Sequence, residues 1–431
     1  MKLKNLLGLL CLSTTSLCFS LEQSGTSSEP AVITAEDLSL LFQQEIVEQT
    51  PENLQSDVIV KRDKKDYLLS NIEKLSSEHF EDATDSYLEG YIQALLDVHY
   101  YEFGIIVFVK DGEVILYNLP NNALFKNSIM TFVKNLPEVS VVKEGDHMTR
   151  KQAEKKEDHI IRKQVCGIWF PQSTLLYQPM IADPKETIYS AQFRYDDQVI
   201  GKYTIAVCFG DYFPLFRWRN ILPWKGDLQI DIQAGMWADF KMGSYNNPNH
   251  EISQLVTTDY LIGIPLSYAV DRWTFRLRAY HISSHLGDEF MFLRPGYPRK
   301  NPSMEAIDFF TNYQATEGIR VYFGPGWVFH SDDTYYLNPL YFEYGAEFRA
   351  FGKSNYYHRL YGTPYLAIFM RNWQAVHWQF DGTYQLGYEW SKLQGVGRKL
   401  RAFLQYHHGY NEGQFFKDKC GYFSIGFSYG F

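Results

Sequence analysis

The sequence predicts a mainly-β fold: an antiparallel transmembrane β-barrel of about twelve strands, with ten as the fallback, preceded by a small α+β domain. Three observations carry this reading. Apolar and polar residues alternate at period two through most of residues 187–431. Several alternating runs exceed the five or six residues usual in soluble sheets. Beyond the first twenty residues, no apolar run approaches the ~20 residues a spanning helix needs. The 32 Tyr and 31 Phe among 431 residues fit alternating strands better than helices. A net charge of −9 argues against a nucleic-acid partner, since phosphate binding needs a basic face.

Residues 1–20 read as a secretory signal, with Lys2 and Lys4 ahead of an apolar run from Leu6 and small residues near Ser20. A lipid anchor at Cys18 is disfavoured, because Leu17 is bulky where such signals want a small residue. Residues 21–82 are a polar, acidic lead-in, flexible or loosely helical, with one amphipathic stretch around Leu38 to Ile46.

Residues 83–144 change pattern. SYLEGYIQALLDVHYY spaces as a helix, IIVFVK as a short buried strand, Asp111-Gly112 as a tight hairpin turn and VILYNL as the partner strand. NALFKNSIMTFVKNL follows as a second amphipathic helix and VSVVKE as a third strand. This α-β-β-α-β order, with VKDGEVILYN and NLPEVSVV, resembles the BON domain. The resemblance implies binding to lipid surfaces, peptidoglycan or envelope proteins, and no chemistry; an unrelated α+β domain is the other reading. Residues 145–186 form a connector, first charged (Arg150, Lys151, Lys155, Lys156, Arg162, Lys163), then PQSTLLYQPMIADPKE. The second part is apolar but broken by Pro171, Pro179 and Pro184, hence extended and irregular.

From 187 to 431 the strands follow one another. In KGDLQIDIQAGMWADFKM, Leu228, Ile230, Ile232 and Met236 oppose Asp227, Gln229, Asp231, Gln233 and Asp239. In LVTTDYLIGIPLSYAV, Tyr260, Ile262, Ile264 and Leu266 oppose Asp259, Gly263 and Ser267. PLYFEYGAEFRAF sets Leu340, Phe342 and Phe348 against Glu343, Glu347 and Arg349. AVHWQFDGTYQLGYEW reads as one strand, with Val376, Trp378 and Phe380 against His377, Gln379 and Asp381. GYFSIGFSYGF sets Phe423, Ile425 and Phe427 against Ser424, Gly426 and Ser428. A soluble sandwich, with Phe423, Trp378 and Ile230 between two sheets, has no need of so charged a second face. A barrel with a wet lumen does, and Asp231, Asp239, Asp259, Arg276, Arg278, Glu343, Glu347 and Arg349 would pair inside it. A plugged barrel is favoured over a selective pore. The terminal Phe431 resembles the closing residue of bacterial outer-membrane barrels, which implies an outer-membrane location with the small domain in the periplasm. Counting back from it gathers the long connections SYNNPNHEIS, GDEFMFLRPGYPRKNPS, HSDDTYY and NEGQFFKDK at one end. The tight turns at Asp271-Arg272 and 316–318 fall at the other.

The one compact cluster of chemistry-bearing residues lies in WTFRLRAYHISSHLGDEF. Trp273, Phe275, Leu277 and Ala279 share a face with His281, Ser283 and His285, while Arg276, Arg278, Tyr280, Ile282 and Ser284 share the other. A histidine and a serine against lipid are costly unless paired or used. Y-H-x-S-S-H locally resembles the motifs of outer-membrane phospholipase A and of lipid A deacylases, which cleave acyl esters of membrane lipids. The resemblance implies His281 as general base and Ser283 as nucleophile, acting on membrane lipid. Ser284 stands where those families carry Asn, which opens the identity of the orienting residue. Glu305, in register with Ile307 and Phe309, and the loop acids Asp288 and Glu289 are the candidates. The longer string H-I-S-S-H-L-G-D-E, with GDYFPLFRW and the closing barrel, resembles a bacterial envelope family defined by H-x-S-S-H-x-G-D-E and implies no particular activity.

The bland readings are that Ser and His at a strand end satisfy backbone groups or sit in the interfacial zone, and that Asp288 and Glu289 solubilise a loop or hold a cation. Cys166, Cys208 and Cys420 are scattered and give neither a disulfide framework nor a metal spacing. His377, His407 and His408 lack an acid-rich spacing and read as lumen or interface residues. No cofactor or metal follows from the pattern. Two functions stay open: an acyl-ester hydrolase of outer-leaflet lipid, and a non-enzymatic barrel (adhesin, receptor or narrow channel) tethered to the periplasm.

Overall fold

The computed structural model describes residues 77–136, 139–145, 166–243, 253–298, 300–351, 356–357 and 360–431. All of these but Ser77 belong to one compact unit from Glu78 to Phe431. The signal, the amphipathic stretch at 38–46 and residues 146–165 of the connector lie outside the described residues.

The small module opens with α1 (Ser77–His99), whose Leu88, Ile92 and Leu96 recur every fourth residue and bury one face. A 3-10 turn at Tyr101–Phe103 ends at Gly104, which takes φ 57°. Strands β1 (Ile106–Lys110) and β2 (Glu113–Tyr117) are joined by Asp111 and Gly112, both at positive φ, as a two-residue hairpin demands. The Asp85 carboxylate accepts from both turn amides, at 2.6 and 3.1 Å. Helix α2 (Ala123–Lys134) is capped by Asn122, whose side chain accepts from the Leu124 and Phe125 amides, and carries the chain over to β3 (Val141–Glu144), parallel to β2. Val107, Val109, Val114, Leu116, Phe125, Ile129 and Val133 fill the core between sheet and helices.

Twelve antiparallel strands then close a ring. In chain order they are β5 (Tyr189–Asp197), β6 (Gly201–Ile221), β7 (Gly226–Lys241), β8 (Gln254–Val270), β9 (Trp273–Leu286), β10 (Ser303–Thr316), β11 (Ile319–Ser331), β12 (Leu340–Arg349), β14 (Leu360–Trp373), β15 (Phe380–Ser391), β16 (Lys399–Tyr410) and β17 (Lys419–Gly430). Each pairs with its chain neighbour; β12 pairs with β14 across the short β13 (Tyr356–Tyr357), and β5 with β17 shuts the barrel. A further short strand, β4 (Gly167–Trp169), pairs with the far end of β6. The burial pattern is inverted relative to a soluble protein. Phe423, Ile425, Phe427, Ile262 and Ile264 are more than half exposed on the outer wall, whereas Arg276, Arg320, Arg401, Glu347 and Asp231 are buried inside. Trp378 is also exposed, and among the described residues no second sheet covers the apolar face. Register is strongly specified here. A one-residue slip of β9 would turn Arg276 and Arg278 into lipid, at a cost of about 2–4 kcal/mol each near the midplane.

One strand starts later than its pattern suggests. Residues 374–376 form a 3-10 turn, and His377 and Trp378 take φ near 60°, so the chain reverses before β15 begins at Phe380. The turn closes because the Trp378 amide donates to the Trp373 carbonyl at 3.0 Å. Val376 is therefore buried in a loop and not on the lipid face.

The lumen is occupied by the proline-broken segment. Residues 174–182 run through the interior with Leu175, Leu176, Tyr177, Met180, Ile181 and Ala182 all buried. An irregular chain brings no strand partner, so its backbone groups need donors and acceptors from the wall. The wall supplies them: Arg320 donates to the Gln178 and Pro179 carbonyls at 2.8 and 2.6 Å, and Arg217 to Thr174 Oγ1 and carbonyl at 2.9 and 2.8 Å. Glu347 accepts from the Ile181 amide at 3.0 Å, and Lys185 pairs with Asp259 at 2.5 Å. Around this plug the wall charges pair with one another: Arg278 with Asp308, Arg349 with Glu347 and Glu389, and Arg371 with Asp381. A cavity of about 60 Å³ remains beside the plug, bordered by Asp183, Arg278, Glu343 and Arg371.

The module seats on the short-turn end. The Ala123 amide donates to the Asp271 carbonyl at 2.7 Å, Ser128 Oγ to the Gln394 carbonyl at 2.7 Å, and Asn135 Nδ2 to Tyr361 Oη at 3.1 Å. Phe103 lies against the guanidinium groups of Arg217 and Arg219, with ring-to-carbon distances of 5.4 and 5.1 Å. Glu102, fully buried, accepts from the Ser173 and Thr174 amides and so ties the module to the root of the plug. Burial pushes the Glu102 carboxyl above its usual range, against the pull of Arg217 and these amides.

Candidate functional site

Near the long-loop end of β9 the strand alternation splits the motif between two environments. His281 and Ser283 are partly exposed and His285 is exposed on the outer wall, whereas Ile282 and Ser284 are buried toward the lumen. The outer residues have aligned neighbours. On β8, Ile262 stands opposite His281 and Tyr260 opposite Ser283; on β10, Glu305 stands opposite His281 and Ser303 opposite Ser283.

Glu305 is the hub of this patch. Its Oε1 lies 2.9 Å from His281 Nδ1 and its Oε2 lies 2.5 Å from Nδ1 of His330 on β11. An ionised carboxylate only accepts, so each imidazole turns an Nδ1–H toward it. In the neutral form of His281 that assignment puts the lone pair on Nε2. The Glu305 side chain is 28 % exposed and that of His281 35 %. In such partial burial, at a lipid-facing wall, the carboxylate is stabilised by both donors.

His330 was not apparent from the sequence. Strict alternation along WVFHS, with Trp327 and Phe329 outward, puts His330 in the lumen. The pairing of β10 with β11 instead skips a residue, from Ala306↔Val328 to Glu305↔His330, so Phe329 is an extra residue. This bulge leaves both Phe329 and His330 on the outside. Bulges have no reliable sequence mark, and only the pairing discloses this one.

The remaining candidates separate. Ser284 faces the lumen and donates to Asp259, which also holds Lys185 of the plug. The wall lies between it and His281, so it has no access to the outer patch. His285 sets its ring edge-on to Tyr260, with centroids 6.0 Å apart. Asp288 and Glu289 begin the short helix α3 (Asp288–Leu293) above the rim, exposed and bonded to neither His281 nor Ser283. His407 is buried in the lumen against Thr383, at 3.0 Å, and His408 faces outward. Among the described residues no group of three His, Cys, Asp or Glu side chains is placed to hold a metal ion.

The chain has the architecture of an outer-membrane-type β-barrel. One family model matches residues 103–431, from the 3-10 turn of the small module to the last strand. The chain belongs to that family, DUF1207, described as protein of unknown function. No curated protein matches the sequence. Among solved structures it is similar to a Salmonella typhi outer membrane phospholipase (OMPLA) dimer with bound calcium, at 15 % identity and a TM-score of 0.38, over 60 % of this chain and 92 % of that one. The Escherichia coli outer membrane phospholipase A matches at 16 % identity and 0.38, over 59 % and 93 %. LpxR from Salmonella typhimurium matches at 11 % and 0.29, over 56 % and 99 %.

Proposed function

We propose that this DUF1207 chain is an outer-membrane acyl-ester hydrolase that works on lipid from the outside of its barrel. Ser283 is the nucleophile, His281 the general base and Glu305 the residue that orients the imidazole. The supporting observation is the lipid-facing patch in which Glu305 holds Nδ1 of His281 while Ser283 lies two residues along the same face of the same strand. Ser283 Oγ attacks the acyl carbonyl and gives its proton to His281 Nε2, which passes it to the departing alcohol oxygen. Water then enters by the same base and releases the fatty acid. His281 and Ser283 are not hydrogen-bonded to each other in the free protein, as is common before substrate closes such a pair.

Depth favours an ester substrate. His281 is eight residues along β9 from Trp273 at the short-turn end. At ~3.4 Å per residue and a ~40° tilt this is roughly 20 Å of height, in an apolar band of about 25 Å. The patch thus meets the zone where acyl chains join head groups, in the leaflet on the long-loop side. With the short turns and Phe431 periplasmic, that leaflet is the outer one, and the small module covers the periplasmic mouth, where its likeness to a BON domain fits an envelope partner. The filled lumen weighs against a channel.

The test uses the full chain in detergent micelles with a fluorophosphonate probe and with phospholipid vesicles. Wild type is expected to label at Ser283 and to release fatty acid; Ser283→Ala and His281→Ala are expected to lose both. Equal labelling and fatty-acid release by wild type and Ser283→Ala would end the hydrolase reading.

A further inference from the structure

We infer that His330 is a positioning residue of the same site, acting on His281 through Glu305; the inference rests on the hydrolase reading. A carboxylate on a flexible glutamate stem has a broad terminal torsion. With one oxygen on His281 and the other on His330, its plane is fixed by two donors from two neighbouring strands. The ring of His281 is then fixed in turn, with Nδ1–H toward Glu305.

The backbone departs from regularity to make this contact. Without the extra residue at Phe329, the period of β11 would turn His330 into the lumen. The bulge interrupts the ladder between β10 and β11 and leaves Phe329 unpaired, at the one place where it brings a second imidazole to Glu305. A group that served only to neutralise a carboxylate near lipid would not need to be an imidazole held by Nδ1. The result is a linear relay of side chains, His330–Glu305–His281, across β11, β10 and β9, with Ser283 beside its last member. His330 is 69 % exposed and never meets the reacting atoms by this geometry, so its effect passes through Glu305 alone.

Two substitutions separate positioning from structure. His330→Asn keeps an N–H near the place of Nδ1; His330→Phe keeps a ring and removes the donor. Misplacement of a catalytic group by an ångström costs on the order of 10²-fold, so loosening one step removed is expected to lower kcat on the order of tenfold in His330→Phe. KM should stay within about twofold, and His330→Asn should recover most of kcat. Folding is followed by heat-modified mobility in gels, which both variants should share with wild type. Independently of turnover, nitrogen NMR of histidine-labelled protein should report a single Nδ1–H tautomer of His281 in wild type and His330→Asn, and a mixture in His330→Phe. Wild-type kcat and an unchanged tautomer in His330→Phe would overturn the inference, as would an Asn variant as impaired as the Phe variant. Loss of all turnover by Ser283→Ala together with an unaffected His330→Phe would retire this inference and leave the hydrolase standing. Unchanged turnover in Ser283→Ala would remove the hydrolase, and with it this role of His330.

Discussion

Replacing Glu305 by glutamine changes one oxygen into an amide nitrogen and nothing else in volume, which makes it a sharp probe of how His281 is held. In the native site both Glu305 oxygens accept, one from each imidazole, at 2.9 and 2.5 Å. Glutamine offers one acceptor and one donor, so one imidazole must lose its bond or switch tautomer. A hydrogen bond to a charged group is worth about 1.5–3 kcal/mol, and with His281 and Glu305 about a third exposed the lower half of that range applies. At 1.36 kcal/mol per tenfold, kcat should fall by about 13- to 45-fold. KM should hardly move, because the bond stabilises the imidazolium formed in the transition state and touches no substrate atom. Hydrolysis of a p-nitrophenyl acyl ester in micelles, with the protein's heat-modified gel mobility as the folding control, measures both constants. A glutamine variant with wild-type kcat would show that Glu305 does not serve His281, and the orienting role assigned to it would be withdrawn.

Ser284→Ala should keep most of its turnover and lower thermal stability by about 1–3 kcal/mol, since it strips a donor from the buried Asp259; scanning calorimetry in detergent would detect the loss, and a drop in kcat matching Ser283→Ala would contradict the assignment of the two serines to opposite faces. Arg320→Met should loosen the plug, because the Gln178 and Pro179 carbonyls lose their donors and Glu347 loses one of its two arginines, keeping Arg349 and the Ile181 amide. Planar-bilayer recordings should then show current in the variant and silence in wild type. Glu102→Gln should flatten the acid end of the stability profile. The Glu102 carboxyl is raised above its ordinary 4.5 by burial. The folded state therefore holds the proton more tightly, and the associated stability is full below pH 4.5 and lost as pH rises through the folded value. Melting temperature followed upward from pH 4 should fall more steeply in wild type than in the variant; parallel slopes would refute the linkage.

Much of the barrel is legible in the sequence because its physics is written residue by residue. Period two puts Phe423, Ile425 and Phe427 in lipid, and the same count puts Arg276, Arg278 and Ser284 inside. The placement of the candidate site residues is legible in the same way: His281 and Ser283 share parity, and Glu305 shares the parity of Ile307, which stands across from Ala279 of the apolar face. What fails is what parity cannot encode. Val376 and Trp378 alternate with His377 and Gln379 as a strand would, yet β14 runs to Trp373 and leaves only a turn for them. Pro171, Pro179 and Pro184 announce an irregular segment and say nothing of where it lies; its place in the lumen depends on donors such as Arg217 and Arg320, more than forty residues away in the chain. His330 is hidden by a bulge, an insertion in pairing and not in pattern.

The two faces of β9 are therefore two halves of one arrangement. A site on a lipid-facing wall has no protein over it, so whatever rigidity it possesses must come from neighbouring strands and from behind. The neighbours contribute the Glu305 bonds from β10 and, through them, His330 from β11. Behind, Ser284 and Lys185 meet on Asp259 of β8, and Arg278 reaches Asp308 of β10, so the three strands under the patch are fastened to one another and to the plug. Charges in the lumen and the proposed chemistry at the lipid face follow from the same alternation. A barrel that stays plugged suits a site that needs a stiff wall, whereas a pore would have to give up this backing.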